Sequence, residues 1–182
     1  MRKQAQKRRS KKVYLFVVEG CTEENYINRL KCIYKQPSKP ENCKGGSARA
    51  VMQKAEKLYK KHKDYYSGYV VWFDEDRYDH ANDHNLKEML ESKKYGIDIY
   101  ISKPCIENWL LAHFEPVSTT SGKKCQNLER NLIKYIPYYE KNNCMLLDKH
   151  IDREAVSNAC NNYTDLGEFV IKYFNKNIRL SG

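Results

Sequence analysis

Two short apolar runs, each closed by an acid, constrain this chain more than any other feature of its sequence. Val13-Tyr14-Leu15-Phe16-Val17-Val18 ends on Glu19, and Tyr69-Val70-Val71-Trp72-Phe73 ends on Asp74. Both runs are continuous, not alternating, and rich in β-branched and aromatic residues. That is the pattern of strands covered on both faces, as in a parallel sheet between helices. The runs therefore predict an α/β fold.

The intervening sequence supplies the helices. Gly20 turns the chain after the first run, and Thr22 is placed to cap a helix whose inner face carries Tyr26, Ile27, Leu30 and Ile33 or Tyr34. Segment 36–46, with Pro37, Pro40 and Gly45-Gly46, reads as a loop with room for a weak edge strand. Ser47 can cap a second helix with Val51, Met52, Ala55, Leu58 and Tyr59 at helical spacing, its basic end at residues 60–63 suiting the helix dipole. A helix with Leu86, Met89 and Leu90 leads to a third strand at 97–101. Pro104 then opens another helix with Ile106, Trp109, Leu110, Leu111 and Phe114. Strands alternating with helices predict a mainly parallel sheet flanked by helices. Residues 115–182 are polar, with helical patterns near 125–136 and 153–175, and are expected to cover the sheet as a helical C-terminal extension.

Charge is unevenly spread. The net charge is +10, and residues 1–12 hold seven basic residues and no acid, leaving +3 for the other 170. Such a run reads as a disordered arm, followed by a single domain over 13–182. The arm, with Lys11 and Lys12, suits either a clamp on nucleic-acid phosphates or a solubilising tail. The seven cysteines never approach a CxxC spacing, and the five histidines are scattered, so neither a zinc site nor a disulfide framework is expected. Reduced thiols in a cytoplasm fit instead. The run at 13–18 is too short for a signal core or a membrane span, which gives a cytoplasmic protein with no membrane partner.

The acids carry the chemistry. In parallel α/β sheets functional groups gather beyond the carboxyl ends of the strands, where Glu19 and Asp74 both fall. If the two strands are neighbours, Glu19, Asp74 and Asp76 converge, and carboxylates so close need a counter-charge. Hard oxygen donors select Mg²⁺ or Mn²⁺, which would bind substrate phosphate and stabilise charge on the leaving oxygen. The Asp74-x-Asp76 spacing alone is a weak signal, because aspartates often cap helices after strands. Two apolar strands each ending in an acid are more telling, and Glu23 and Glu107 extend the set. Glu24, Glu75 and Asp79 read as solvated surface. His113 reads as a structural, hydrogen-bonded histidine rather than a proton shuttle; Trp109 and Phe114 read as core, and Tyr26 as a packing residue.

Three segments carry a resemblance. Val17-Val18-Glu19-Gly20-Cys21-Thr22-Glu23-Glu24-Asn25-Tyr26 resembles the opening motif of the RloB-like proteins of the Toprim superfamily, relatives of the OLD-type nucleases. The strand into Phe73-Asp74-Glu75-Asp76 resembles their second motif. Residues 102–114, from Ser102-Lys103-Pro104 through Glu107 and Trp109 to His113-Phe114, resemble their third, usually S-N-P-x-F-E-x-W-L-L-x-H-F. Lys103 and Ile106 depart from that form, and the C-terminal third matches loosely. The resemblance implies a Toprim-like α/β fold in which Glu19, Asp74 and Asp76 hold Mg²⁺ or Mn²⁺, with Glu19 also able to act as a base. Glu107 becomes a further ligand, and Glu23 a ligand or a group behind the ligands. Lys103 is a candidate phosphate contact. It further implies a metal-dependent nuclease acting on DNA or RNA as an effector of bacterial anti-phage defence, often encoded beside an ABC- or AAA-type ATPase. The alternative is a non-catalytic module that binds nucleic acid or the ATPase and senses infection.

Overall fold

A computed structural model describes residues 13–117, 124–141 and 147–175 of the 182. The basic arm with Lys11 and Lys12 lies outside the described residues.

Four strands form one all-parallel sheet: β1 (Tyr14–Val18), β2 (Ser38–Asn42), β3 (Gly68–Asp74) and β4 (Asp98–Ser102), in the order β2-β1-β3-β4. The two acid-ended runs are thus neighbours, with Val18 opposite Trp72 in register. Their continuous apolar character follows from burial on both sides. Phe16, Val18, Val70 and Trp72 face one core layer, while Leu15, Val17, Tyr69, Val71 and Phe73 face the other.

The second layer is closed by α2 (Ala48–His62) and α3 (His80–Glu91), which are pinned together by Arg49 Nε on the buried Asp83 at 3.0 Å. The first is closed by α1 (Cys21–Tyr34), α4 (Ile106–Leu111), α5 (Cys125–Leu132), α7 (Arg153–Asn162) and α8 (Thr164–Tyr173). A single-turn helix, α6 (Leu147–His150), adds Leu147 to that layer. Aromatic rings knit it: Phe169 of α8 lies 5.2 Å from Trp72, 4.9 Å from Tyr100 and 5.6 Å from Trp109, centroid to centroid. Burial of such side chains supplies most of the local stability. No helix among the described residues is long and apolar enough to cross a membrane.

Four sequence expectations needed local correction, while the edge strand allowed for in 36–46 is present. That strand, β2, is hidden by its Ser-Lys-Pro-Glu-Asn sequence because backbone pairing to β1, not apolar burial, holds it there. α1 starts two residues earlier than expected, with Gly20 and not Thr22 at the cap position. α4 starts at Ile106, after a cis Lys103–Pro104 bond, and not at Pro104. The helix expected over 153–175 breaks at Tyr163, whose extended backbone ends α7 and starts α8. Finally, Cys105 and Cys125 form a disulfide across a 20-residue separation. The reading of wholly reduced thiols is overturned for that pair: α4 and α5 pack closely, and their starts meet with Cα atoms 6.2 Å apart, within disulfide range.

Candidate functional site

The order β2-β1-β3-β4 has its switch point between β1 and β3, where connections leave in opposite directions and a crevice opens beyond the strand ends. A cleft of about 450 Å³ lies there, lined by Glu19, Gly20, Glu23, Lys44, Arg77 and Lys141 among others. Its wall on the β2 side is a glycine turn. Gly45 takes a left-handed backbone (φ +84°), and its N–H donates to the Glu19 carbonyl at 2.8 Å.

Each acid is placed by backbone. Glu19 follows β1, and its Oε2 accepts from the Asp74 N–H at 3.2 Å, locking the ends of β1 and β3 together. Asp74, fully buried, accepts from the Ile106 N–H at 2.8 Å and so anchors the first turn of α4. That helix carries Glu107, 1% exposed, whose Oε1 accepts from the Tyr139 hydroxyl at 3.1 Å. Glu23, in the first turn of α1, accepts from the Gly20 N–H at 3.1 Å and is buried as well.

Four carboxyl groups are therefore buried around the ends of β1 and β3, and the electrostatics register it. Burial, followed by the charge of Asp74, pushes Glu19 up to about 7 and Glu23 up to about 8. Burial pushes Glu107 up to about 7 against the pull of Lys141, and raises Asp74 above the usual carboxylate range.

The remaining expected residues fall outside this cluster. Asp76 lies in the 3-10 turn Glu75–Arg77 with its side chain 45% exposed, facing the Arg77 Nε at 3.9 Å. The same Arg77 Nε stands 3.7 Å from Glu19, so that guanidinium links Asp76 to the centre, and the Asp76 charge also helps to raise Asp74. Lys103 lines a different cleft, with Asn162, Tyr163, Thr164 and Asp165. His113 is buried, its Nε2 3.0 Å from the Tyr26 hydroxyl and its Nδ1 3.0 Å from the Leu110 carbonyl. Burial holds it down at about 4, so it is a neutral structural histidine, and Tyr26 is a buried packing residue.

The sequence reading missed three groups, of which the most central is Lys141. Its Nζ pairs with Asp74 Oδ2 at 2.8 Å and stands 3.9 Å from Glu107 Oε2. Its carbonyl accepts from the Thr22 hydroxyl at 2.7 Å, which is what Thr22 does in place of capping. Tyr139 and Arg77 are the other two. Arg77 could have been suspected from its place beside Asp76. Lys141 carried no signal, being one lysine in a polar stretch, brought in by partners 67 and 119 residues away.

Fit to a divalent cation can be judged from the donors. All are hard oxygens, and Glu107 Oε2 is buried without a hydrogen-bond partner. An unmatched acceptor beside Asp74 suits a small cation. Among the described residues, however, no three His, Cys, Asp or Glu side chains stand together in ligating geometry. The Lys141 ammonium stands between Asp74 and Glu107.

Fold and site together define a parallel α/β protein with an acidic, lysine-bridged cleft at its switch point. The particular family follows from comparison: the model for the RloB-like protein family matches residues 14–170, most of the chain, and the chain belongs to that family. No curated protein and no solved structure matches it.

Proposed function

We propose that this chain is a divalent-metal-dependent nuclease of Toprim type that hydrolyses phosphodiesters of DNA or RNA. The observation that carries the reading is the convergence of Glu19, Glu23, Asp74 and Glu107 around the ends of adjacent strands. A binding protein gains nothing by presenting buried carboxylates to anionic phosphate. Asp74, Glu107 and Glu19 are the groups that would hold Mg²⁺ or Mn²⁺ once drawn together around the ion, with Asp76 joining if its exposed side chain turns from Arg77. The bound ion would polarise the phosphodiester and offset charge on the leaving oxygen.

The chain's own groups supply the rest. Glu19, which lines the cleft beside Asp74, would take a proton from the attacking water. Arg77, half exposed and reaching toward Glu19, would hold the incoming phosphate in the cleft. The RloB-like resemblance adds a setting: an effector of antiviral defence in the cytoplasm, held in check by a partner ATPase.

The test is cleavage of single- and double-stranded DNA and RNA by the whole chain with Mg²⁺ or Mn²⁺, alone and with any ATPase found encoded beside it. The expected result is metal-dependent cleavage, lost in the Glu19→Gln, Asp74→Asn double variant. Cleavage that persists in that variant overturns the assignment. A second reading, a non-catalytic sensor, is favoured by one observation, the ammonium already seated on Asp74. It predicts no Mn²⁺ site that depends on Asp74, Asp76 or Glu107.

A further inference from the structure

Lys141 lies outside all three motifs that carry the family resemblance, yet it touches each of them. Its carbonyl is held by Thr22 of the first, its ammonium by Asp74 of the second, and Glu107 of the third stands 3.9 Å away. Two residues earlier, Tyr139 donates to the other oxygen of Glu107. The segment 139–141 is thus a strap across the acidic centre. Its backbone is fixed at α1, and its one basic side chain reaches across to the carboxylates.

We propose that Lys141 is the resident counter-cation of this centre and that a divalent ion binds by taking its place. The inference rests on the reading of the acidic cleft as a metal site. Asp74 Oδ2 already holds the ammonium at 2.8 Å. Magnesium would sit about 2.1 Å from the same oxygen. Two cations sharing one carboxylate oxygen lie only a few ångströms apart and repel strongly in a buried setting. One has to leave, and the ammonium is the one with an exit. The Lys141 side chain is 38% exposed and already lines the cleft, while its carbonyl anchor at Thr22 need not move. The divalent ion brings twice the charge and can take Glu107 Oε2, which the ammonium reaches only at 3.9 Å. Exchange therefore moves a positive charge from the acidic floor into the cleft, where the substrate's phosphate would meet it. The cost is a weakened apparent affinity for the metal, because loading includes displacing the lysine.

The experiment uses the full chain and needs no activity. Mn²⁺ is titrated calorimetrically into wild type, Lys141→Met and Lys141→Arg. Lys141→Met is expected to bind Mn²⁺ at least about tenfold more tightly than wild type, and Lys141→Arg to stay close to wild type. Unchanged or weaker binding by a folded Lys141→Met, with wild type binding normally, overturns the exchange and leaves the metal site standing. No Mn²⁺ binding by any of the three overturns the metal reading and this inference with it. A measurement on wild type alone covers the case in which Lys141→Met does not fold. Amine acylation mapped by mass spectrometry is expected to show Lys141 labelled several-fold faster with saturating Mg²⁺ than with chelator, while exposed lysines such as Lys57 are unchanged. Equal labelling of Lys141 in the two conditions overturns the proposal.

Discussion

At the scale of single residues, the acidic centre couples protonation to stability. Glu19, Glu23 and Glu107 have folded-state pKa values of about 7, 8 and 7, above their ordinary value of 4.5, because burial disfavours the charged form. Between about pH 5 and 8 the unfolded chain has released these protons while the folded chain still holds them. The folded state binds more protons in that window, so stability falls as pH rises through it. The raised pKa of Lys141 acts only above its ordinary value of 10.5 and does not enter. Urea unfolding in chelator is expected to show a loss of at least about 1 kcal/mol between pH 5 and 8. In Glu107→Gln, which removes one titrating group but keeps an acceptor for Tyr139, the slope is expected to be shallower. A stability that rises across the window would show that these acids are ionised in the folded, metal-free protein.

At the scale of elements, the disulfide joins the start of α4, where Glu107 sits, to the start of α5. Closing a 20-residue separation should stabilise the fold by about 2–4 kcal/mol. Cys125→Ser is expected to lower the denaturant midpoint accordingly, and alkylation of the unreduced, denatured chain is expected to spare Cys105 and Cys125 alone of the described cysteines. Labelling at both positions would refute the bond. Elements were legible in the sequence in proportion to how far apolar burial defined them. β1, β3 and the inner faces of α1 and α2 announce themselves because both core layers need them. β2 does not, being polar and held by backbone pairing. The break at Tyr163 is equally hidden, because Ala159, Cys160, Leu166 and Phe169 keep burying apolar surface on either side of it. In the site, Glu19, Asp74, Glu23 and Glu107 could be read from strand ends and motif order, whereas Lys141 depends on tertiary packing that no local pattern encodes.

At the scale of the whole molecule, charge is segregated. The centre is acidic, whereas residues 1–12 carry seven of the basic residues behind a net charge of +10. If the arm grips nucleic acid, deleting residues 1–12 should weaken binding at low salt. The slope of log K against log salt should become shallower by about 0.7–0.9 for each phosphate that the arm no longer neutralises. Mn²⁺ binding should be unchanged. An unaltered salt slope would leave the arm as a solubilising tail. The sheet itself has a one-sided boundary. Pro40 lies in the outermost strand β2, where it has no N–H to offer a fifth strand. Proline and lysine in such a place are a fence against edge-to-edge growth. Two copies of this chain that joined their sheets would meet more readily through β4, which carries no proline. Aggregation of a partly unfolded form would start from that same side.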